Sequence, residues 1–101
     1  SEQMSGSIER AAANYGLTVP RLELLFVLGL QGQCKQVELA TYLDCSPRQV
    51  TALVDGLEAS GHVVRTMSPE DRRVRLIDLT DESRRIVDEV VSARVALAEW
   101  L

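Results

Sequence analysis

Little in this chain could hold a metal or a disulfide framework. Its two cysteines, Cys34 and Cys45, stand too far apart for a CxxC pair, and His62 is the one histidine. Neither a zinc cluster nor a disulfide scaffold is supported, and both thiols read as free and buried. No run of about 18 apolar residues occurs, which excludes a membrane-spanning helix. The first residues lack the basic-then-apolar order of a signal peptide, so the expected address is the cytoplasm. The chain opens Ser1-Glu2-Gln3-Met4 without an initial methionine, as a trimmed chain or one with a tag remnant would, and Ser1 to Gly6 carry no argument. No nucleophile paired with a base and no phosphate-binding glycine loop emerges, which argues against an enzyme and calls for no cofactor. Positive charge is not in excess either. The formal net charge is -4, which argues against indiscriminate binding to nucleic acid, because that affinity comes from neutralising phosphates.

What is present is unevenly placed. Arg65, Arg72, Arg73, Arg75, Arg84 and Arg85 put six of the 11 basic residues into one short segment, and that cluster is the electropositive footprint a nucleic-acid binder needs. With 101 residues and 46% hydrophobic content, the chain fits one domain over 1–101 with a modest core and no separate catalytic domain. Repeats, low-complexity tracts and interdomain linkers are missing. The short gaps between periodic segments predict a compact fold, mainly α with a small β-hairpin.

A short helix is expected over Ile8 to Asn14, closed by Tyr15-Gly16. Thr18 caps a second, with Pro20 in its first turn and a stop near Gly32; its apolar residues lie nearly all round, so it should be central. Gln36 to Leu43 follows, with Val37, Ala40 and Leu43 on one stripe, and Asp44-Cys45 breaks it. Ser46-Pro47-Arg48-Gln49 then has the form of a capping box with proline at the first helical position. In the helix it opens, at about 46–60, Val50, Leu53, Val54 and Leu57 form the inward face, and Gly61 ends it. Arg48, Thr51, Ala52, Asp55 and Gly56 are left on or near the outward face. Val63 to Met67 and Val74 to Leu79 read as two half-buried antiparallel strands around an exposed turn holding Pro69, so a wing is expected at about 63–79. Thr80 caps a last helix at about 81–101. Its stripe of Ile86, Val87, Val90, Val91, Leu97 and Leu101 is wider than a small domain covers, and a second copy of the chain is the cheapest partner.

Two short helices joined by a tight turn form a helix-turn-helix, whose second helix can enter the major groove of double-stranded DNA. The residues expected at DNA are Ser46, Pro47, Arg48, Thr51 and Ala52 on that helix and Arg72, Arg73 and Arg75 on the wing. Ser46 and the first backbone N–H groups suit a phosphate. Arg48 suits a phosphate or a guanine edge, and Thr51 a phosphate or a thymine methyl group. Asp71 is placed to pair with Arg73 and hold its guanidinium outward for a narrow minor groove, with Arg72 on a phosphate and Arg75 in support. The plainer readings stay open: Ser46 that only caps, a charged turn that is only solvated, and a winged-helix module that docks protein with weak or no DNA binding. Apart from Lys35 beside Cys34, neither cysteine has an activating neighbour in sequence, which disfavours redox control. His62, at the helix exit, reads as structural.

Val37-Glu38-Leu39-Ala40, the run from Val50 to Gly61, and Ser68-Pro69-Glu70-Asp71-Arg72-Arg73 followed by Leu79-Thr80 resemble the MarR family over about residues 17 to 85. The resemblance implies a winged helix-turn-helix fold with terminal dimerisation helices. It further implies a bacterial or archaeal transcriptional regulator that binds pseudo-palindromic operators as a homodimer. Such proteins are commonly repressors released by a small-molecule effector, often a small aromatic ligand, or by oxidation. The helix matching Pro47 to Ser60 would read the major groove, and the pair matching Asp71 and Arg73 would set the wing in the minor groove. Where the family often has basic residues this chain has Ala52 and Gly56. Fewer cations on the recognition helix would leave the wing arginines a larger share of the affinity. The terminal helices are also shorter than the family's, which implies either a smaller dimer or a shortened chain.

Overall fold

The computed structural model of the chain describes residues 2–100. Helix α1 (Glu2–Asn14) is longer than the Ile8 to Asn14 segment expected. Weak helix formers at Ser5, Gly6 and Ser7 hide its start, but a helix nucleated at Ala11 to Ala13 gains one hydrogen bond for each residue it adds. Gly16 closes it at φ 67°, a left-handed conformation that a side chain would strain. Helix α2 (Val19–Gln31) starts where its cap predicts: the Thr18 hydroxyl oxygen accepts from Arg21 N at 3.3 Å. Its Leu22, Leu24, Leu25 and Leu28 are buried, which makes α2 the centre of the core.

Strand β1 (Cys34–Lys35) was not expected. Two residues carry no periodicity, so only their pairing partner reveals them. Helices α3 (Gln36–Leu43) and α4 (Pro47–Ala59) follow, then β2 (Val63–Met67), β3 (Arg75–Leu79) and α5 (Asp81–Trp100). The hairpin is therefore part of a three-stranded antiparallel sheet in the order β1-β3-β2. Cys34 and Arg65 both stand opposite Ile77, and Cys34, Val63, Ile77 and Leu79 are buried in the core beside α2. Pinning β3 from its second side fixes the base of the wing.

The stripe expected on α3 is rotated. Val37 is 73% exposed, whereas Leu39 is fully buried and Ala40 and Leu43 are partly so. The helix packs on α2 and α4, and those two neighbours together take the face centred on Leu39. On α4, Val50, Val54 and Leu57 are buried and Leu53 is packed partly against them, as the spacing predicts. On α5, Ile86, Val87 and Val90 join the core, but Val91, Val95 and Leu97 are exposed. The second half of its apolar stripe is thus uncovered; Leu101 lies outside the described residues. None of the described helices is long and apolar enough to cross a membrane.

Candidate nucleic-acid interface

The turn between α3 and α4 is set by local chemistry. Asp44 adopts φ 51°, a conformation that a short polar side chain tolerates, and Cys45 N donates to Ala40 O at 3.1 Å to close the helix end. The expected capping box is formed: Gln49 N donates to Ser46 Oγ at 3.1 Å, and Ser46 N donates to Gln49 Oε1 at 2.9 Å. Reciprocal capping fixes where α4 begins, and so fixes which residues stand outward. Arg48, Thr51, Ala52 and Asp55 are exposed, and Gly56 is partly covered. The Thr51 hydroxyl is already committed, donating to Pro47 O at 3.0 Å and accepting from Gln36 Nε2 at 3.2 Å. With its one proton engaged on Pro47 O, donating to a phosphate requires the hydroxyl to turn away from that carbonyl, whereas its methyl group is available as it stands.

Hydrogen bonds within the chain hold the wing. Ser68 N donates to Val74 O at 3.0 Å and Val74 N to Asp71 O at 3.0 Å. Arg73 sends its backbone N and its Nε to Asp71 Oδ1, at 3.0 and 3.1 Å, and its Nη2 to Asp71 Oδ2 at 3.0 Å. This is the pairing expected from sequence, in a fork geometry that is charge-assisted and bidentate. Its effect is to hold a guanidinium whose side chain is 90% exposed in one direction. Arg75 does not brace Arg73 as expected. Its Nη1 donates to Arg72 O at 2.7 Å, because a strand residue two positions from the tip reaches the turn's backbone before it reaches another guanidinium. Arg72 itself is exposed. A shallow groove lined by Gln36, Val37, Pro47, Thr51, Arg73, Val74 and Arg75 joins the start of α4 to the wing. The fold thus brings Pro47, Thr51, Arg73 and Arg75 together; Arg48 and Ala52 stand farther round α4.

Two of the six clustered arginines are engaged elsewhere. Arg65 Nη2 lies 2.6 Å from Asp55 Oδ1 and its Nη1 lies 3.6 Å from Glu58 Oε1, so it clamps β2 to α4 and neutralises acids on the outward side of that helix. Arg84 stands 3.8 Å from Asp78. Sequence proximity could not reveal Arg65's role, since its partners lie in the preceding helix.

Arg73 holds the Asp71 carboxyl below the ordinary carboxylate range, chiefly through the side-chain bonds and then through its backbone N–H. A carboxylate with a lower pKa folded than unfolded contributes stability above its unfolded pKa and loses it only as pH falls through the folded one. The fork should therefore stay closed in weak acid. NMR titration of the Asp71 carboxyl carbon should give a midpoint below the ordinary 3.8, and a midpoint at or above that value would show the fork open in solution.

Cys34 is not poised for redox chemistry. Burial pushes the Cys34 thiol up, with Glu38 and Asp78 adding to the effect, so Lys35 does not activate it. Because the thiolate is the reactive form, iodoacetamide should label native protein at Cys45, which is only partly buried, before Cys34. Equal rates would contradict this reading. His62 is buried with its Nδ1 2.7 Å from Ser60 Oγ, and its carbonyl accepts from Ser83 Oγ at 2.6 Å; it ties the exit of α4 to the start of α5. Among the described residues, no group of three or more His, Cys, Asp or Glu is placed to hold a metal ion.

Comparison with known proteins agrees with this architecture. The MarR family model matches residues 17–74. The HTH-type transcriptional repressor MdtR of Bacillus subtilis is 35% identical over 82 residues, which are 81% of this chain and 53% of MdtR. The crystal structure of the YusO protein from Bacillus subtilis superposes with a TM-score of 0.84 at 31% identity, covering 99% of this chain and 72% of that one. The S. aureus MepR-DNA complex has the same fold, with a TM-score of 0.86 at 20% identity over 96% of this chain and 80% of that one. The chain spans about half the length of the curated relatives it matches, 53% of the first and 44% of the second. These relatives bear the names of transcriptional regulators, not of enzymes. From the capped α4, the forked wing and the family match over their shared span, the chain belongs to the MarR family.

Proposed function

We propose that this chain binds double-stranded DNA sequence-specifically as a transcriptional regulator in the cytoplasm, a single winged helix-turn-helix domain with α4 in the major groove and Arg73 in the minor groove. The observation that carries the reading is the Asp71–Arg73 fork, which aims one highly exposed guanidinium from the wing. An exposed arginine free to sample many rotamers would lose entropy on binding; this one is pre-arranged. Ser46, Pro47, Arg48, Thr51 and Ala52 supply the helix face, with Arg72 on a phosphate and Arg75 securing the turn that carries it. MdtR is named a repressor, which supports repression as the role of this chain.

The exposed Val91, Val95 and Leu97 of α5 support a homodimer in which a second copy covers the stripe, and two copies would meet two half-sites. An open groove between α1, α2 and α5 is lined by apolar side chains such as Ile8, Phe26 and Val87, with Asp88 and Arg94 beside them, and this suits a small aromatic effector.

Titrating promoter fragments at increasing salt tests the reading. Arg48, Arg72 and Arg73 should contribute about -3 to the log-log slope per bound protomer. Binding without a salt slope, or none at all, would favour a protein-docking module instead.

A further inference from the structure

We propose that Arg21 is an additional phosphate contact, carried from α2 onto the surface of α4 through the opening left by Gly56. The inference rests on the DNA-binding reading above and adds a residue to it.

Gly56 stands inside α4, where glycine is unfavourable in a helix and where its backbone does not require it, since its φ is not positive. Space does require it. A Cβ built at Gly56 would come within 2.4 Å of Arg21 Nη2, 2.8 Å of its Cζ and 3.2 Å of its Nε. The guanidinium therefore lies against the helix where a side chain would otherwise start, and a planar, weakly hydrated cation suits such a contact. Among the described residues no carboxylate lies within ion-pair distance of Arg21, although Glu23 lines the same groove. Its charge is thus left for a ligand.

The position of that charge identifies the ligand. Arg48, Ala52 and Gly56 follow one another at steps of four residues along α4, so Arg21 places a second cation on the ridge that begins at Arg48, about 12 Å farther along the axis. A recognition helix with one arginine of its own thereby presents two. A guanidinium lying on the helix and held from another element suits the DNA backbone better than a base edge, and its contribution should be independent of sequence.

The test uses a labelled random-sequence duplex and a duplex that the protein binds preferentially. Arg21→Gln should weaken binding to both by roughly tenfold and lower the salt slope by about one. Gly56→Ala should raise the melting temperature, as removal of a helical glycine does, yet weaken binding as Arg21→Gln does, because the new methyl group displaces the guanidinium. A merely structural glycine would not move the two readouts in opposite directions. The pair of changes should weaken binding no further than either alone, and Arg21→Gln with Gly56→Lys should restore it by supplying the cation from α4 itself. Wild-type affinity and slope in Arg21→Gln would overturn the proposal while leaving DNA binding intact, as would a loss confined to the preferred duplex. A wild-type chain that binds neither duplex would overturn the DNA-binding reading and this proposal with it.

Discussion

Replacing Arg73 with alanine should lower affinity for a preferred DNA site by roughly tenfold to a hundredfold, the cost of one well-placed arginine contact of about 1–3 kcal/mol. The loss should be greatest at sites whose wing-contacting step is A·T-rich, where a narrow minor groove concentrates negative potential. Folding should be little affected, because the side chain is 90% exposed and its hydrogen bonds go to the surface residue Asp71. Asp71→Asn keeps the arginine charge but weakens the fork, so it should cost part of the same affinity. The two changes combined should cost less than their sum, since both act on one guanidinium. Additive losses in a fluorescence-anisotropy cycle would mean that Asp71 does not orient Arg73.

Leu57→Ala should act in the opposite sense, on stability first. Leu57 is fully buried on the inner face of α4, within the cluster that holds this helix against α2 and the sheet. A buried leucine cut to alanine costs about 3 kcal/mol, against the ~5–15 kcal/mol that a small domain has in total. The melting temperature should fall by roughly 12–24 °C. DNA affinity measured well below that temperature should change much less than in Arg73→Ala, because the outward residues are untouched. A variant that melts like wild type would remove Leu57 from the core proposed for α4.

The parts of the site that were legible in sequence are those fixed by near neighbours. A capping box acts over three residues and a wing fork over two, so Ser46 with Gln49 and Asp71 with Arg73 could be paired from spacing alone, and both pairs are formed. The inner face of α4 was legible for the same reason, since a 3.6-residue period is written in the order of Val50, Val54 and Leu57. What sequence missed depends on elements far apart in the chain. Strand β1 exists because Cys34 and Lys35 lie against Ile77 and Leu76, a separation that no local pattern marks. The turn of α3 that hides Leu39 and exposes Val37 is set by where α2 and α4 pack.

Charge was the least legible property. Counting arginines assigned Arg65 to the DNA footprint, yet its guanidinium is spent on Asp55 and Glu58. Gly56 read as a missing cation on the outward face, whereas the structure puts Arg21 across it. A net charge says nothing about which cations are already neutralised. The electropositive surface is therefore drawn from fewer residues than the sequence offered, and from one it did not suggest.

The most direct measurement is selection of duplexes bound by the wild-type chain from a random double-stranded library, followed by sequencing. The account predicts an enriched motif in which a major-groove core is flanked by an A·T-rich segment, and an inverted repeat with half-sites about 10 bp apart if two copies bind. Arg73→Ala should lose the preference in the flank and keep that in the core. Recovery of unenriched sequences, with no motif above the starting library, would contradict the claim that this winged helix reads DNA.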